Sequence, residues 1–348
     1  MAVFGADGRG LLALTVLTAF ATFSNATSSC ASHLGDCHHG HSVPHLHEIP
    51  FHKRQQVQST LGPAYQAAAS ITFASEQSNT TRVFVPAAFG GDPTGKADST
   101  RALQAAISAM IAVGTPSLIE GVPMTDLGGA ILDFAGGVYV TNEGLSIPPQ
   151  YANFNIQDGT LRAGAGFPVN DTLLLLGGGT IKGAGCLNVA VRRMTLDGSL
   201  LAGTALYVDN GQYVNVGPAV MLYGFNQYGV RMDGTGGCFI HQSWLGEQPP
   251  RSNTYYTPGA YQEINNLTAT AISLEADQHD CYITDVIIWS ALVGIKTKNG
   301  ANTFSHVHPW NLKDAVGGIG FYIEAGTSHV SQLYVICFSL QLTGAYAT

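Results

Sequence analysis

Five segments repeat one pattern at nearly constant spacing, and this constrains the fold more than any other feature of the chain. They are Ala205-Leu206-Tyr207-Val208-Asp209-Asn210, Gly229-Val230-Arg231-Met232-Asp233-Gly234, Ala271-Ile272-Ser273-Leu274-Glu275-Ala276, Gly294-Ile295-Lys296-Thr297-Lys298-Asn299 and Gly320-Phe321-Tyr322-Ile323-Glu324-Ala325. Each opens on a small residue, alternates, reaches a charged side chain and usually ends at a turn former. The start-to-start steps are 24, 42, 23 and 26 residues. A fixed period of this size is the mark of a solenoid. Alternation of period two makes each copy a strand. A rung of 23 to 26 residues fits a coil of three short strands. The expected fold is all-β: a right-handed, single-stranded parallel β-helix whose inward Leu, Val, Ile and Met stack between rungs. A β-sandwich would leave the spacing accidental.

Composition agrees. Gly is 42 of 348 residues and charged residues are 11 %, against a usual share of about 25 %. Turns are abundant and charge is scarce, as in an all-β chain of many short strands. With 15 Lys and Arg against 23 Asp and Glu, net charge −8, the chain lacks the clustered cations that nucleic-acid binding requires. No apolar run after the N-terminus is long enough to span a bilayer.

Three regions are expected. Residues 1–26 resemble a secretory signal: Leu11 to Phe23 is an apolar run, and small residues precede a cleavage point after Ala26. Residues 27–81 form a His-rich and polar linker or propeptide. Seven of the twelve histidines lie in the span from Cys30 to His52, which also holds Cys37, but no spacing there closes a zinc module, so no metal and no cofactor is expected. Residues 82–348 form the β-helix domain, opening with a turn at Gly90 to Gly95 and a helix over Thr100 to Val113 that caps the coil. Sequons at Asn79, Asn170 and Asn266 fit a secreted, extracellular glycoprotein with no stable membrane anchor after signal cleavage. The six cysteines allow disulfides without fixing their pairing.

The opening Val83-Phe84-Val85-Pro86, the run FGGDPTGKADSTRALQAAI and Leu132-Asp133-Phe134 with Gly137-Val138-Tyr139-Val140 resemble the start of the pectin-lyase-like parallel β-helix family. Thr270-Ala271-Ile272-Ser273-Leu274, Asp280, Ile283-Thr284-Asp285-Val286, Gly294-Ile295, Ala301-Asn302 and Val307-His308 resemble plant Quartet-type polygalacturonase-like proteins, which are glycoside hydrolase family 28-like. The resemblance covers residues 82 to 330. It implies a monomeric glycoside hydrolase acting on pectic polysaccharide (polygalacturonan) in the cell wall by inverting acid/base hydrolysis. The Asn-Thr-Asp, Asp-Asp, Gly-His-Gly and Arg-Ile-Lys signatures of ordinary polygalacturonases are not intact; Gly294-Ile295-Lys296 keeps part of the last. Tyr334 to Thr348 departs from the family's continuation, so the coil is expected to be C-terminally truncated. These departures keep two alternatives open: a non-catalytic pectin-binding protein, and a pectate or rhamnogalacturonan lyase.

Hydrolysis needs an acid for the leaving oxygen and a base for water. Asp233 and Glu275 occupy equivalent positions in successive repeats, with Asp209 one copy earlier; stacked carboxylates repel and raise the pKa of one. A second cluster holds Asp277, His279, Asp280 and Asp285, of which Asp280 matches a position of the Quartet-type pattern. Glu247 opens the 18 or so extra residues of the long step, which carry Arg251, Tyr255 and Tyr256. Catalytic candidates are therefore Asp280, Asp277, Asp233, Glu247 and His279. Uronate binding calls for cations and sugar platforms: Arg231, Lys296, Arg251, Tyr255, Tyr256, His308 and Trp310.

Overall fold

The computed structural model describes residues 82–119, 121–178, 185–234, 236–249, 267–275, 278–298, 300–309, 318–324, 328–331 and 338–342, the last two as backbone. The signal, the His-rich segment and Arg251, Tyr255, Tyr256, Asp277, Trp310, Asn79 and Asn266 lie outside the described residues.

Each rung contributes one short strand and one long one. The short strands build a parallel sheet: Leu145–Ile147, Thr172–Gly177, Thr204–Asp209, Tyr228–Asp233, Thr270–Leu274, Val293–Thr297, Gly318–Ile323 and Phe338–Leu342. The long strands, including Tyr151–Ala163, Leu187–Asp197, Gly236–Gly246, His279–Ser290 and Asn302–Pro309, build a second sheet, again paired in parallel from rung to rung. The repeated sequence pattern marks the short strands.

The long strands are bent in the middle. Asp158, Arg193, Gln242, Asp285 and His306 all have positive φ, between 47° and 62°, and they fall at one level of the register. A single left-handed residue turns the chain sharply without adding length. The second sheet therefore presents two faces, and with the short strands the coil has three sides, as its period predicts. A second left-handed column, Asn153, Asn188, Tyr213, Gly237, Asp280 and Ala301, marks the corner where the long strands begin. There Asn188 donates to Asn153 at 2.8 Å and Asn153 donates to Asp126 at 2.8 Å, a short amide ladder along the axis.

Inside, like residues stack. Leu174, Leu206, Val230, Ile272, Ile295 and Phe321 form one buried column behind the short strands. Phe154, Val189, Val214, Cys238 and Cys281 form another behind the long ones. Cys238 and Cys281 face each other across adjacent rungs and are bridged, their Cα atoms 4.4 Å apart. Cys186 is a free, buried thiol. In the next rung the column holds Asn302, whose side chain accepts from Cys281 N–H at 3.0 Å and donates to Thr297 Oγ1 at 3.1 Å, so the buried amide is satisfied.

The helix Thr100–Ala112 lays Leu103, Ala106, Ile107 and Met110 over the first rung, all buried. It closes the open end of the coil, as the sequence predicts. Its entry is set by Asp98, which accepts from Thr100 N–H at 3.0 Å, while the Ser99 hydroxyl accepts from Asp92 N–H at 2.9 Å. Asp92 accepts from the Thr94 hydroxyl and from backbone N–H groups of Thr94, Lys96 and Ala97; these hydrogen bonds hold its carboxyl at about 2.

Candidate functional site

Alternation sends every second residue of the short strands outward, and register then lines those residues up along the axis. One outward column reads Leu175, Tyr207, Arg231, Ser273, Lys296 and Tyr322. The next carries acid. Asp209 is in register with Asp233, and Glu275 follows on the next rung, its N–H bonded to Met232 O. Lys298 and Glu324 continue the line, their N–H groups bonded to Leu274 and Thr297.

These side chains pair in three neighbouring groups along the face. Tyr207 Oη and Arg231 Nη2 both donate to Asp233 Oδ2 at 2.7 Å. The Arg231 guanidinium lies 4.9 Å from the Tyr207 ring centre and 5.4 Å from that of Tyr228. Lys298 Nζ pairs with Glu275, and Ser273 Oγ donates to the same carboxylate at 2.7 Å. Lys296 Nζ lies 3.0 Å from Glu324 and 5.8 Å from the Tyr322 ring centre.

The first and last of these stacked carboxyls are pushed in opposite directions by their surroundings. Burial, and then the neighbouring Asp233, push the Asp209 carboxyl above its ordinary range, although Asn210 donates to it at 2.8 Å. Burial works against ionisation of Glu275 too, but hydrogen bonds from Lys298 and Ser273 outweigh it and hold the pKa low. Burial and the bond to Asp233 raise the Tyr207 hydroxyl, keeping it a donor. A carboxyl with a raised pKa two rungs from one with a lowered pKa is an arrangement suited to acid/base chemistry.

The other candidates lie elsewhere. His279 and Asp280 sit at the corner where a long strand begins, exposed, with Nδ1 2.8 Å from Asp280 Oδ2. Asp280 occupies the left-handed column at φ 56°, a conformation that Asp and Asn tolerate better than most residues. Asp285 stands in the mid-strand left-handed column. The Glu247 carboxylate is buried and folded back on its own loop, accepting from Thr268 N–H and Ala269 N–H, each at 2.9 Å. Its burial raises the pKa. It clasps the two ends of the insertion. His308 lies beside Ile287 on the third side. Asn170 is exposed at a turn, φ 68°. Of the expected residues, the structure brings together Asp233, Arg231 and Lys296. It adds Tyr207, Tyr228 and Glu324, of which Tyr207 stood visible in the repeat as the residue two before the acid.

The chain is a homologue of polygalacturonase QRT3 of Arabidopsis thaliana, 31 % identical over 245 residues, 70 % of this chain and 49 % of that protein. The chain therefore spans about half the length of the curated relative it matches. No family model matches. Solved structures it resembles include the A-module of mannuronan C-5 epimerase AlgE6 of Azotobacter vinelandii, 12 % identical, TM-score 0.45, covering 72 % of this chain and 69 % of that one. A second is the tailspike of E. coli bacteriophage HK620, 10 % identical, TM-score 0.46, covering 77 % and 50 %. A third is the GH87 alpha-1,3-glucanase of Streptomyces thermodiastaticus, 15 % identical, TM-score 0.44, covering 73 % and 47 %.

Proposed function

We propose that the chain is a secreted glycoside hydrolase that cuts polygalacturonan in the cell wall by inverting acid/base hydrolysis on the outer face of the short-strand sheet. The observation that carries this reading is the column Asp209, Asp233 and Glu275, acids stacked on successive rungs, the first carboxyl pushed up and the last held low by their surroundings. Homology to a polygalacturonase supports the substrate class, and the buried disulfide fits an oxidising compartment.

In this mechanism Asp209 donates its proton to the glycosidic oxygen as that bond breaks. Glu275, kept ionised by Lys298, takes a proton from the water that attacks the opposite face of the sugar. In-register strands are ~4.8 Å apart, so two rungs separate the pair by roughly 9–10 Å at the backbone. That matches inversion, where the carboxyl groups stand about 6.5–9.5 Å apart, better than retention at about 5–5.5 Å. Asp233 lies between them, and its charge stabilises the positive sugar ring of the transition state. Arg231 and Lys296 face the same groove and meet the uronate carboxylates. Asp280, Asp277, His279 and Glu247 play no part in this scheme.

One observation favours a second reading, a pectin-binding protein without turnover. Glu275, the base of the hydrolytic scheme, is 5 % exposed and its carboxylate is taken up by Lys298 and Ser273. Incubation of the purified protein with polygalacturonic acid separates the readings. New reducing ends without unsaturated products are expected. Unsaturated, ultraviolet-absorbing products would make it a lyase, and retention on pectin with neither signal would make it a binder.

A further inference from the structure

The side of the coil next to the acid face has a different chemistry. Its central outward column is Asn155, Ala190, Asn215, Phe239 and Tyr282, in continuous register across five rungs. At one end lies a cleft of about 320 Å³ lined by Asp126, Asn153, Asn155, Asn188 and Asn215 among its polar groups. At the other end two aromatic rings stand in solvent: Phe239 is 46 % and Tyr282 48 % exposed. Their centres are 5.2 Å apart and their planes 12° from parallel. Tyr282 covers one face of the Phe239 ring. Phe239 is in register with Asn215, which lines the cleft, so the aromatic pair continues the same outward column beyond the amides.

We infer that this side is a second binding site, for an uncharged polysaccharide strand. Amide side chains present a donor and an acceptor on one plane, which suits neighbouring sugar hydroxyls. Exposed rings bury apolar sugar surface at small entropic cost. Asn155 makes no side-chain hydrogen bond among the described residues, so its amide is open to a ligand in the cleft. Asn215 is held in place, its Oδ1 2.9 Å from His241 Nε2. The cleft lining contains no Lys or Arg and one acid, Asp126, and the cation on the same side, Arg192, donates its Nε–H to Gln157, so the track suits an uncharged chain better than a uronate one. A peptide adding as an extra strand is also disfavoured, because the strands of this side are hydrogen-bonded on both edges. Five rungs at ~4.8 Å give a track of roughly 19 Å, long enough for several sugar units.

This site stands independently of the hydrolytic reading, and the test keeps the two apart. The secreted protein is run in native gels containing linear galactan, xyloglucan or polygalacturonate, with thermal melts to confirm folding. Retardation in at least one neutral gel is expected, unchanged in Asp209→Asn. Phe239→Ala and Asn155→Ala should each weaken it about tenfold. Phe239→Leu, which keeps the volume and removes the ring, replaces Phe239→Ala if the latter fails to fold. Unretarded migration of the wild type in both neutral gels overturns the proposal. So does full retardation in folded variants of Phe239 and Asn155.

Discussion

Arg231 and Phe239 are neighbours on one rung yet look out on two different chemistries. The short-strand face around Arg231 interleaves four acids with three cations and tyrosines, and nearly every charge on it is partnered. The face around Phe239 offers amides and bare aromatic rings, with an acid at its edge. The two share a core of the same aliphatic columns. Burial and stability are settled by the inward half of each strand, which leaves the outward half free to differ from side to side. A charged, internally paired face can discriminate protonation states; an amide and aromatic face can discriminate shape.

The sharpest way to break this contrast is at the acids. Asp209→Asn and Glu275→Gln should each lower the hydrolysis rate by about 10²–10⁴ while leaving the amide face untouched. Turnover unaffected by both substitutions would remove the column from the chemistry. Because the Asp209 carboxyl titrates above its ordinary range and must be protonated to act, activity in the wild type should fall as pH rises through that raised value.

Next in size is the disulfide. It joins the Phe239 and Tyr282 rungs from the inside and closes a loop with a sequence separation of 43. Chain-entropy reasoning gives it about 4 kcal/mol. The double variant Cys238→Ala/Cys281→Ala should lose stability on that order in a denaturant titration and blur the aromatic stack before the acid face. Equal midpoints for the two proteins would show that stacking alone holds those rungs.

Arg231→Ala should weaken polygalacturonate retention by about tenfold and leave neutral-glycan retention unchanged. Loss of both would mean the two faces are coupled. The smallest effect is expected at Glu247. Its folded pKa is raised by burial, so its contribution to stability is complete below the ordinary glutamate range and is lost as pH rises through the raised value. Glu247→Gln should flatten that decline in melting temperature, at a cost of about 1 kcal/mol for a weakened hydrogen bond.

The coil was legible because its core is periodic. Nearly every inward position of the short strands repeats an aliphatic residue, Thr297 and Phe321 being exceptions, and the acid two places after Tyr207 or Arg231 marks the outward side. The capping helix was legible from the spacing of Leu103, Ile107 and Met110. The mid-strand bend was not. Asp158, Arg193, Gln242 and His306 share a backbone conformation and no side-chain type, so nothing in the letters announces a corner. The same obscurity touches Asp280: the residue matched to a family pattern also stands in a left-handed backbone position that Asp tolerates, so the match has a structural cause as well as a chemical one. The sequence makes Glu247 a catalytic candidate from its place at the head of the insertion. Only the fold shows that its carboxylate is taken up by Thr268 and Ala269. The amide and aromatic face escaped notice because Asn155, Asn215, Phe239 and Tyr282 are far apart in sequence and meet through register alone.

The one-residue corners also set where evolution can change the length of this chain. Removing His306 or Gln242 would shift the half-strand that follows by one position, and every inward side chain there would turn outward. At the turn after Gly246 the same coil accepts some 18 added residues, because Glu247 pins both roots of the loop to each other. Lineages descended from such a protein should therefore gain and lose segments at that turn freely.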